Sequence, residues 1–204
     1  MDAPHGISNL RGRASDCQKT YRATQRFSPL DSTPAGKRVA TVYLVGSPQA
    51  ALLETVLRDI ESWGVREVAE RSLAGLLHAE LQAGQDISVT DLRDPEIAAL
   101  GLDRTAAASS PQEHYPCTRT VARAIHASPQ KPAGILGHSR QAEMTGHGPV
   151  EVMVLFAKRL RDARNGLTLI PSIRSSGALG EGIGRIWPDE LLERLEIGVP
   201  SEGS

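Results

Sequence analysis

Four places in this 204-residue chain carry residue types that do chemistry in proteins. Glu54 stands inside an apolar stretch, Ala50-Ala-Leu-Leu-Glu-Thr-Val-Leu57, with alanines one helical turn before it and Leu57 one turn after. An acid in such a stretch must either reach solvent or be kept for a purpose, because buried Glu is rare unless paired. Tyr43 lies mid-strand between Val42 and Leu44. The commonest fate of such a tyrosine is a core position with its hydroxyl satisfied by backbone. Ser139-Arg140 follows a short apolar run and reads as a polar strand end with a surface arginine. No nearby His and Asp make the serine a nucleophile, so a hydrolase triad is not indicated. Arg26-Phe27 falls in a long loop, where a lone arginine is normally solvated.

Two other chemistries can be weighed from spacing. His5, His78, His114, His126, His138 and His147 are scattered, and the closest His–Cys approach is His114-Tyr-Pro-Cys117. Structural zinc wants Cys and His in pairs at short fixed spacing, and there is no second pair, so no metal is expected. The run Gly177-Ala-Leu-Gly180-Glu-Gly182-Ile-Gly184-Arg185 would let backbone amides approach a phosphate. Its spacing matches neither a dinucleotide fingerprint nor a P-loop, and no strand follows it to complete a βαβ unit. A flexible loop is the better expectation.

The elements that must position these residues follow from patterning. Residues 1–36 are polar and broken by Pro4, Gly6, Gly12, Pro29, Pro34 and Gly36. They predict a flexible segment over 1–19 and then a functional loop. Residues 39–45 (VATVYLV) predict a mostly buried strand. Ser47 and Pro48 then open a helix over 49–61 with Leu53, Val56, Leu57 and Ile60 packed on that strand, closed by Gly64. Residues 78–82 and 87–92 flank Ala83-Gly-Gln-Asp86 as a plausible hairpin. Further on, a short strand is expected over 66–69 and a helix over 95–100, capped by Asp94 and stopped by Gly101. A helix is predicted over 116–127, strands over 134–136, 150–156 and 167–170, and a terminal helix over 187–195. Short strands irregularly mixed with helices predict an α+β class.

Composition sets outer bounds. The net charge of −1 offers no field for nucleic acid and no acidic tail. Two cysteines, Cys17 and Cys117, are too few for a disulfide framework and point to a reducing compartment. The longest apolar run, residues 150–157, falls far short of the roughly 20 residues of a membrane span. The start, Met1-Asp-Ala-Pro-His-Gly6, has neither the basic nor the apolar region of a secretory signal. A cytoplasmic protein with no membrane or direct nucleic-acid partner is expected.

Taken in order, several stretches resemble the RES domain. They are Arg26-Phe-Ser-Pro-Leu30; Val42-Tyr-Leu44; Ala50-Ala-Leu-Leu-Glu-Thr-Val-Leu-Arg-Asp59; Asp86-Ile-Ser-Val-Thr-Asp-Leu92; Leu100-Gly-Leu102; His114-Tyr-Pro-Cys-Thr-Arg-Thr-Val-Ala122; Gly134-Ile-Leu-Gly-His-Ser-Arg-Gln141; and Val154-Leu-Phe-Ala-Lys-Arg159. The similarity spans about residues 20–160, within a domain expected over 20–172 and followed by a Gly-rich loop and short helix over 173–204.

The resemblance implies an ADP-ribosyltransferase-like fold, with short mixed strands in a split central sheet and flanking helices. It implies a toxin of a bacterial toxin–antitoxin pair that consumes NAD⁺ by hydrolysis or phosphorolysis of the nicotinamide–ribose bond. The implied partners are an antitoxin with an Xre-like helix-turn-helix domain, which blocks the site, and water or phosphate as co-substrate. Arg26, Tyr43, Glu54 and Ser139 match the family's positions, with Arg140 beside the serine. Arg11, Arg13 and Arg22 are alternatives for one further arginine. The residue types suit the chemistry. A carboxylate stabilises an oxocarbenium-like ribose or orients the attacking water or phosphate. An arginine is a planar multidentate donor to a pyrophosphate. A tyrosine ring stacks on nicotinamide, and serine holds a ribose hydroxyl or phosphate oxygen. A protein ADP-ribosyltransferase and a catalytically weak interaction module remain as alternatives.

Overall fold

The computed structural model describes residues 7–10, 13–18, 26–27, 30–31, 38–58, 66–84, 86–103, 115–146, 148–161, 166–170 and 178–200. Its strands are β1 (Ile7–Leu10), β2 (Arg13–Gln18), β3 (Leu30–Asp31), β4 (Arg38–Val39), β5 (Thr41–Val45), β6 (Glu80–Ala83), β7 (Ile87–Asp91), β8 (Gly134–His138), β9 (Glu151–Phe156) and β10 (Leu167–Leu169). Its helices are α1 (Pro48–Glu54), α2 (Glu96–Ala99), α3 (Tyr115–Ala127), α4 (Arg140–Met144), α5 (Ala157–Arg161) and α6 (Ile183–Arg194). The class is α+β. Eight strands form a mixed sheet in the order β1-β7-β8-β9-β5-β2-β6-β10, and β3 and β4 form a separate ribbon.

Strand alternation sorts the core. On one face Tyr43 and Val45 of β5, Ile135 of β8, and Val152, Val154 and Phe156 of β9 pack with Phe27, Leu30 and Ala122. On the other, Leu44, Leu136, Leu155 and Val89 form a smaller cluster. A side-chain period of two residues sends these neighbours to opposite faces. Gly134 permits the close β8–β9 approach, since a Cβ there would lie 2.4 Å from the Val154 carbonyl oxygen.

β5 and β8 both run antiparallel to the β9 strand between them. Their C-terminal ends therefore open on the same sheet edge, and each feeds a short helix there. Ser47 caps α1 by accepting the Ala50 N–H at 3.1 Å, with Pro48 in the first turn, as predicted. Ser139 caps α4 in the same way, accepting the Ala142 N–H at 3.1 Å. Side-chain capping satisfies amide donors that a helix start leaves without carbonyl partners.

Several expectations are corrected. The lead-in, read as flexible over 1–19, contributes β1 and β2 to the sheet. β2 pairs β5 on one side and β6 on the other. The helix predicted over 49–61 ends at Glu54. The Thr55 hydroxyl donates back to the Ala51 carbonyl at 2.7 Å, and the Leu57 N–H reaches the Leu52 carbonyl at 3.0 Å in a wider turn. Back-bonding of this kind competes with the helical ladder. Leu53 and Leu57 pack into a second core with Leu52, Val68, Leu73, Ala142, Leu191 and Leu192, not onto β5. Ile60 and Gly64 lie outside the described residues.

The hairpin expected across Ala83-Gly-Gln-Asp86 does not form. β6 pairs β2 and β10, whereas β7 pairs β1 and runs parallel to β8. β7 buries Val89 and Asp91, while β6 is half-exposed, so burial sent them to different parts of the sheet. The strand expected over 66–69 is a single bridge, Glu67 to Gly198. α2 has Pro95, not Asp94, at its N-cap, although Gly101, at φ 69°, does close it. On α3 the buried residues are Tyr115, Thr118 and Ala122, and the helix starts one residue earlier than predicted. The terminal helix α6 begins earlier than predicted, at Ile183, so the glycine-rich run supplies its start, with Gly182 at the N-cap and Gly184 buried. No helix among the described residues is long and apolar enough to cross a membrane.

Candidate active site

Glu54 ends α1, and Ser139 begins α4, two helices that lie side by side at the sheet edge. The Ser139 Oγ donates to Glu54 Oε1 at 2.6 Å, and the Gln141 N–H reaches the same oxygen at 3.4 Å. Ser139 is fully buried. Its hydroxyl therefore both caps α4 and aims the carboxylate across 85 positions of sequence. The capping geometry fixes where the hydroxyl proton points, because the oxygen's acceptor side is taken by Ala142.

Arg26 sits in the turn before β3 and is 4% exposed, despite the expectation of a solvated loop arginine. One of its terminal nitrogens, Nη2, donates to the His138 carbonyl at 3.1 Å, and its own carbonyl accepts from the Thr118 hydroxyl. The arginine thus ties the lead-in loop to the end of β8 and to α3. His138 also turns Nδ1 toward the Glu143 carboxylate at 3.3 Å.

Tyr43 is buried on β5. Burial foremost, then the nearby Glu54 charge, holds its phenol well above the usual tyrosine range. Tyr115 adds to that shift, and Arg26 and Arg58 oppose it. The hydroxyl stays protonated at any physiological pH and can donate a hydrogen bond.

Arg26, Tyr43, Glu54 and Arg140 line one narrow pocket together with Arg58, Tyr115 and Gln141. The space it encloses is only about 10 Å³, room for about one water. Ser139 stands behind it, bonded to Glu54. The structure thus brings five sequence-selected residues, 26, 43, 54, 139 and 140, to one place. Of the alternatives for a further arginine, Arg13 begins β2, and Arg11 and Arg22 lie outside the described residues.

Three lining residues were missed. Arg58 is four residues after Glu54, a spacing that keeps two side chains on one helical face and was a usable signal. Gln141 directly follows Ser139-Arg140. Tyr115 had no local signal beyond its place next to His114. Among the described residues there is no group of three His, Cys, Asp or Glu able to hold a metal.

Three arginines and a single glutamate line this pocket. Such a balance favours a ligand that carries oxyanions and exposes one electron-poor centre to Glu54. The fold and the site together define an α+β protein with three arginines, two tyrosines and one glutamate gathered at a sheet edge. The chain belongs to the RES domain family, whose model matches residues 4–175. A chain of the crystal structure of the M. tuberculosis MbcT–MbcA toxin–antitoxin complex is similar in fold, with a TM-score of 0.50 and 18% identity over 81% of this chain and 85% of that one. Among curated proteins none matches.

Proposed function

We propose that this protein consumes NAD⁺ by breaking the nicotinamide–ribose bond, and that it acts as the toxin of a toxin–antitoxin pair in the cytoplasm. The observation that carries the chemistry is the Ser139–Glu54 hydrogen bond beside three arginines and two tyrosines. At about 10 Å³ the enclosed space is far below that of typical ligand sites, so the lining side chains must part to admit the dinucleotide.

In this reading Arg26 and Arg140 hold the pyrophosphate through charge-assisted, multidentate hydrogen bonds. Tyr43 and Tyr115 offer aromatic faces for the nicotinamide ring. The C1′–N bond breaks with both electrons going to nicotinamide, which leaves neutral. The ribose carbon becomes cationic, and the Glu54 carboxylate stabilises it and orients the incoming oxygen. Water or inorganic phosphate supplies that oxygen and gives up a proton as the new C–O bond forms. Ser139 keeps Glu54 aimed throughout. An Xre-like helix-turn-helix antitoxin would silence the protein by covering the pocket mouth. Membership of the RES family and fold similarity to a chain from a toxin–antitoxin complex support this partner class.

The test is incubation of the purified protein with NAD⁺, with and without phosphate, followed by nucleotide chromatography. Release of nicotinamide without labelling of protein is expected. Transfer of ADP-ribose to protein would replace this reading with a transferase, and an unchanged NAD⁺ pool would leave an interaction module.

A further inference from the structure

We propose that Arg58 binds a phosphate oxyanion in this pocket, held in place by the Tyr115 ring and by Gln141. The inference rests on the NAD⁺-cleaving reading of the same site and names a group that the reading does not need. The Arg58 guanidinium lies over the face of Tyr115, 5.7 Å from the ring centroid. Tyr115 is 7% exposed and stands at the start of α3, so it is a fixed platform. A guanidinium carries its N–H donors in its own plane, a geometry matched to the oxygens of a phosphate. Both residues line the pocket that holds Glu54 and Arg26. Arg58 also reaches Tyr43 electrostatically, where its charge acts in the same sense as that of Arg26.

The backbone is arranged for this. Four residues apart on a continuing helix, Glu54 and Arg58 would be placed to pair with each other. The helix instead breaks at Thr55, and the two charges rest on separate supports. Glu54 is held by Ser139 and the Gln141 N–H. Arg58 rests on Tyr115, and its carbonyl accepts the Gln141 Nε2–H at 3.0 Å. One residue, Gln141, therefore sets the spacing between a carboxylate suited to a cationic ribose and a cation suited to a phosphate. Gln141 and Tyr115 are positioning residues, and Arg58 is a binding residue.

The oxyanion has two sources, the dinucleotide's own pyrophosphate or free inorganic phosphate. The experiment compares wild type, Arg58→Ala, Arg58→Lys and Tyr115→Leu. It reads calorimetric NAD⁺ affinity in phosphate-free buffer, the KM and kcat for NAD⁺, and the phosphate concentration that half-saturates turnover. Losing one charge-assisted contact should weaken binding about ten- to a hundredfold. Arg58→Ala is expected to lose that much NAD⁺ affinity, with Arg58→Lys and Tyr115→Leu between it and wild type and KM moving more than kcat. If NAD⁺ affinity holds while the phosphate requirement rises by that factor, Arg58 serves the free phosphate, and the proposal stands with that source. A folded Arg58→Ala with both quantities unchanged overturns it. Should Arg58→Ala fail to fold, Arg58→Lys and Tyr115→Leu decide on the same readouts. Should wild type bind no NAD⁺, the reading of the site falls separately. Inorganic pyrophosphate then decides: binding lost in Arg58→Ala or weakened in Arg58→Lys supports the oxyanion role, and equal or absent binding overturns it.

Discussion

Ser139→Ala removes one oxygen that serves two structures at once. The hydroxyl accepts the Ala142 N–H at the start of α4 and donates to Glu54 at 2.6 Å. Loss of a serine N-cap costs about 0.5–2 kcal/mol. Loss of a hydrogen bond to a charged partner costs about 1.5–3 kcal/mol. Ser139 is fully buried, so no water takes its place without rearrangement. Glu54 is only half-buried and can turn outward to recover part of its solvation, so the two terms will not sum in full. About 2–4 kcal/mol is expected, measured as the shift of the urea midpoint at constant slope. A double-mutant cycle with Glu54→Ala isolates the shared bond, and its coupling should be about 1–3 kcal/mol. Ser139→Thr, which keeps the hydroxyl, should recover much of the stability. NAD⁺ turnover in Ser139→Ala should fall while affinity changes less, because the carboxylate is present but no longer aimed. A coupling near zero, or a Ser139→Ala protein as stable and active as wild type, would refute the view that this hydroxyl holds Glu54.

Three further outcomes follow from the same geometry. Glu54→Gln should lower kcat for NAD⁺ cleavage by about 10²–10³ while leaving calorimetric affinity within about tenfold, and near wild-type turnover would make Glu54 a structural acid. Leu57→Ala should cost about 2–5 kcal/mol in chemical denaturation, since Leu57 is buried against the C-terminal elements; an unchanged midpoint would remove the second core. The Tyr43 phenol is raised by burial and Glu54, so in the unfolded chain it ionises first, near the ordinary value of about 10. Its contribution is therefore complete below that pH and lost as pH rises above it. Stability should fall in alkali less steeply for Tyr43→Phe than for wild type, and ultraviolet titration of wild type should show a phenol ionising later than free tyrosine that is missing in Tyr43→Phe; the absence of such a late phenol would refute the assigned burial.

What was legible in the sequence was local. Strand β5, the Ser47–Pro48 helix start and the Gly101 helix stop are set by β-branching, a capping hydroxyl, a ring-locked φ and a residue tolerant of positive φ. Each acts over a turn or two of chain, so a short window contains the whole cause. The odd acid at Glu54 stood out for the same reason, as a polar residue breaking an apolar period. Arg26 did not stand out, because its burial comes from His138, Thr118 and Phe27 meeting around it, and two of those lie about ninety or more positions away.

The sequence by itself determined the α+β class, the types of most central elements and the order of the family's residue stretches. Tertiary structure alone decided that β6 and β7 part company, that Leu53 and Leu57 face the C-terminal segment, and that α1 ends at Glu54. It also decided that a serine 85 residues away aims that glutamate and that Arg58, Tyr115 and Gln141 join it. The physical reason is one of range. Propensity and capping act between neighbours in the chain, whereas strand partners, burial and charge balance depend on which distant surfaces must leave water together.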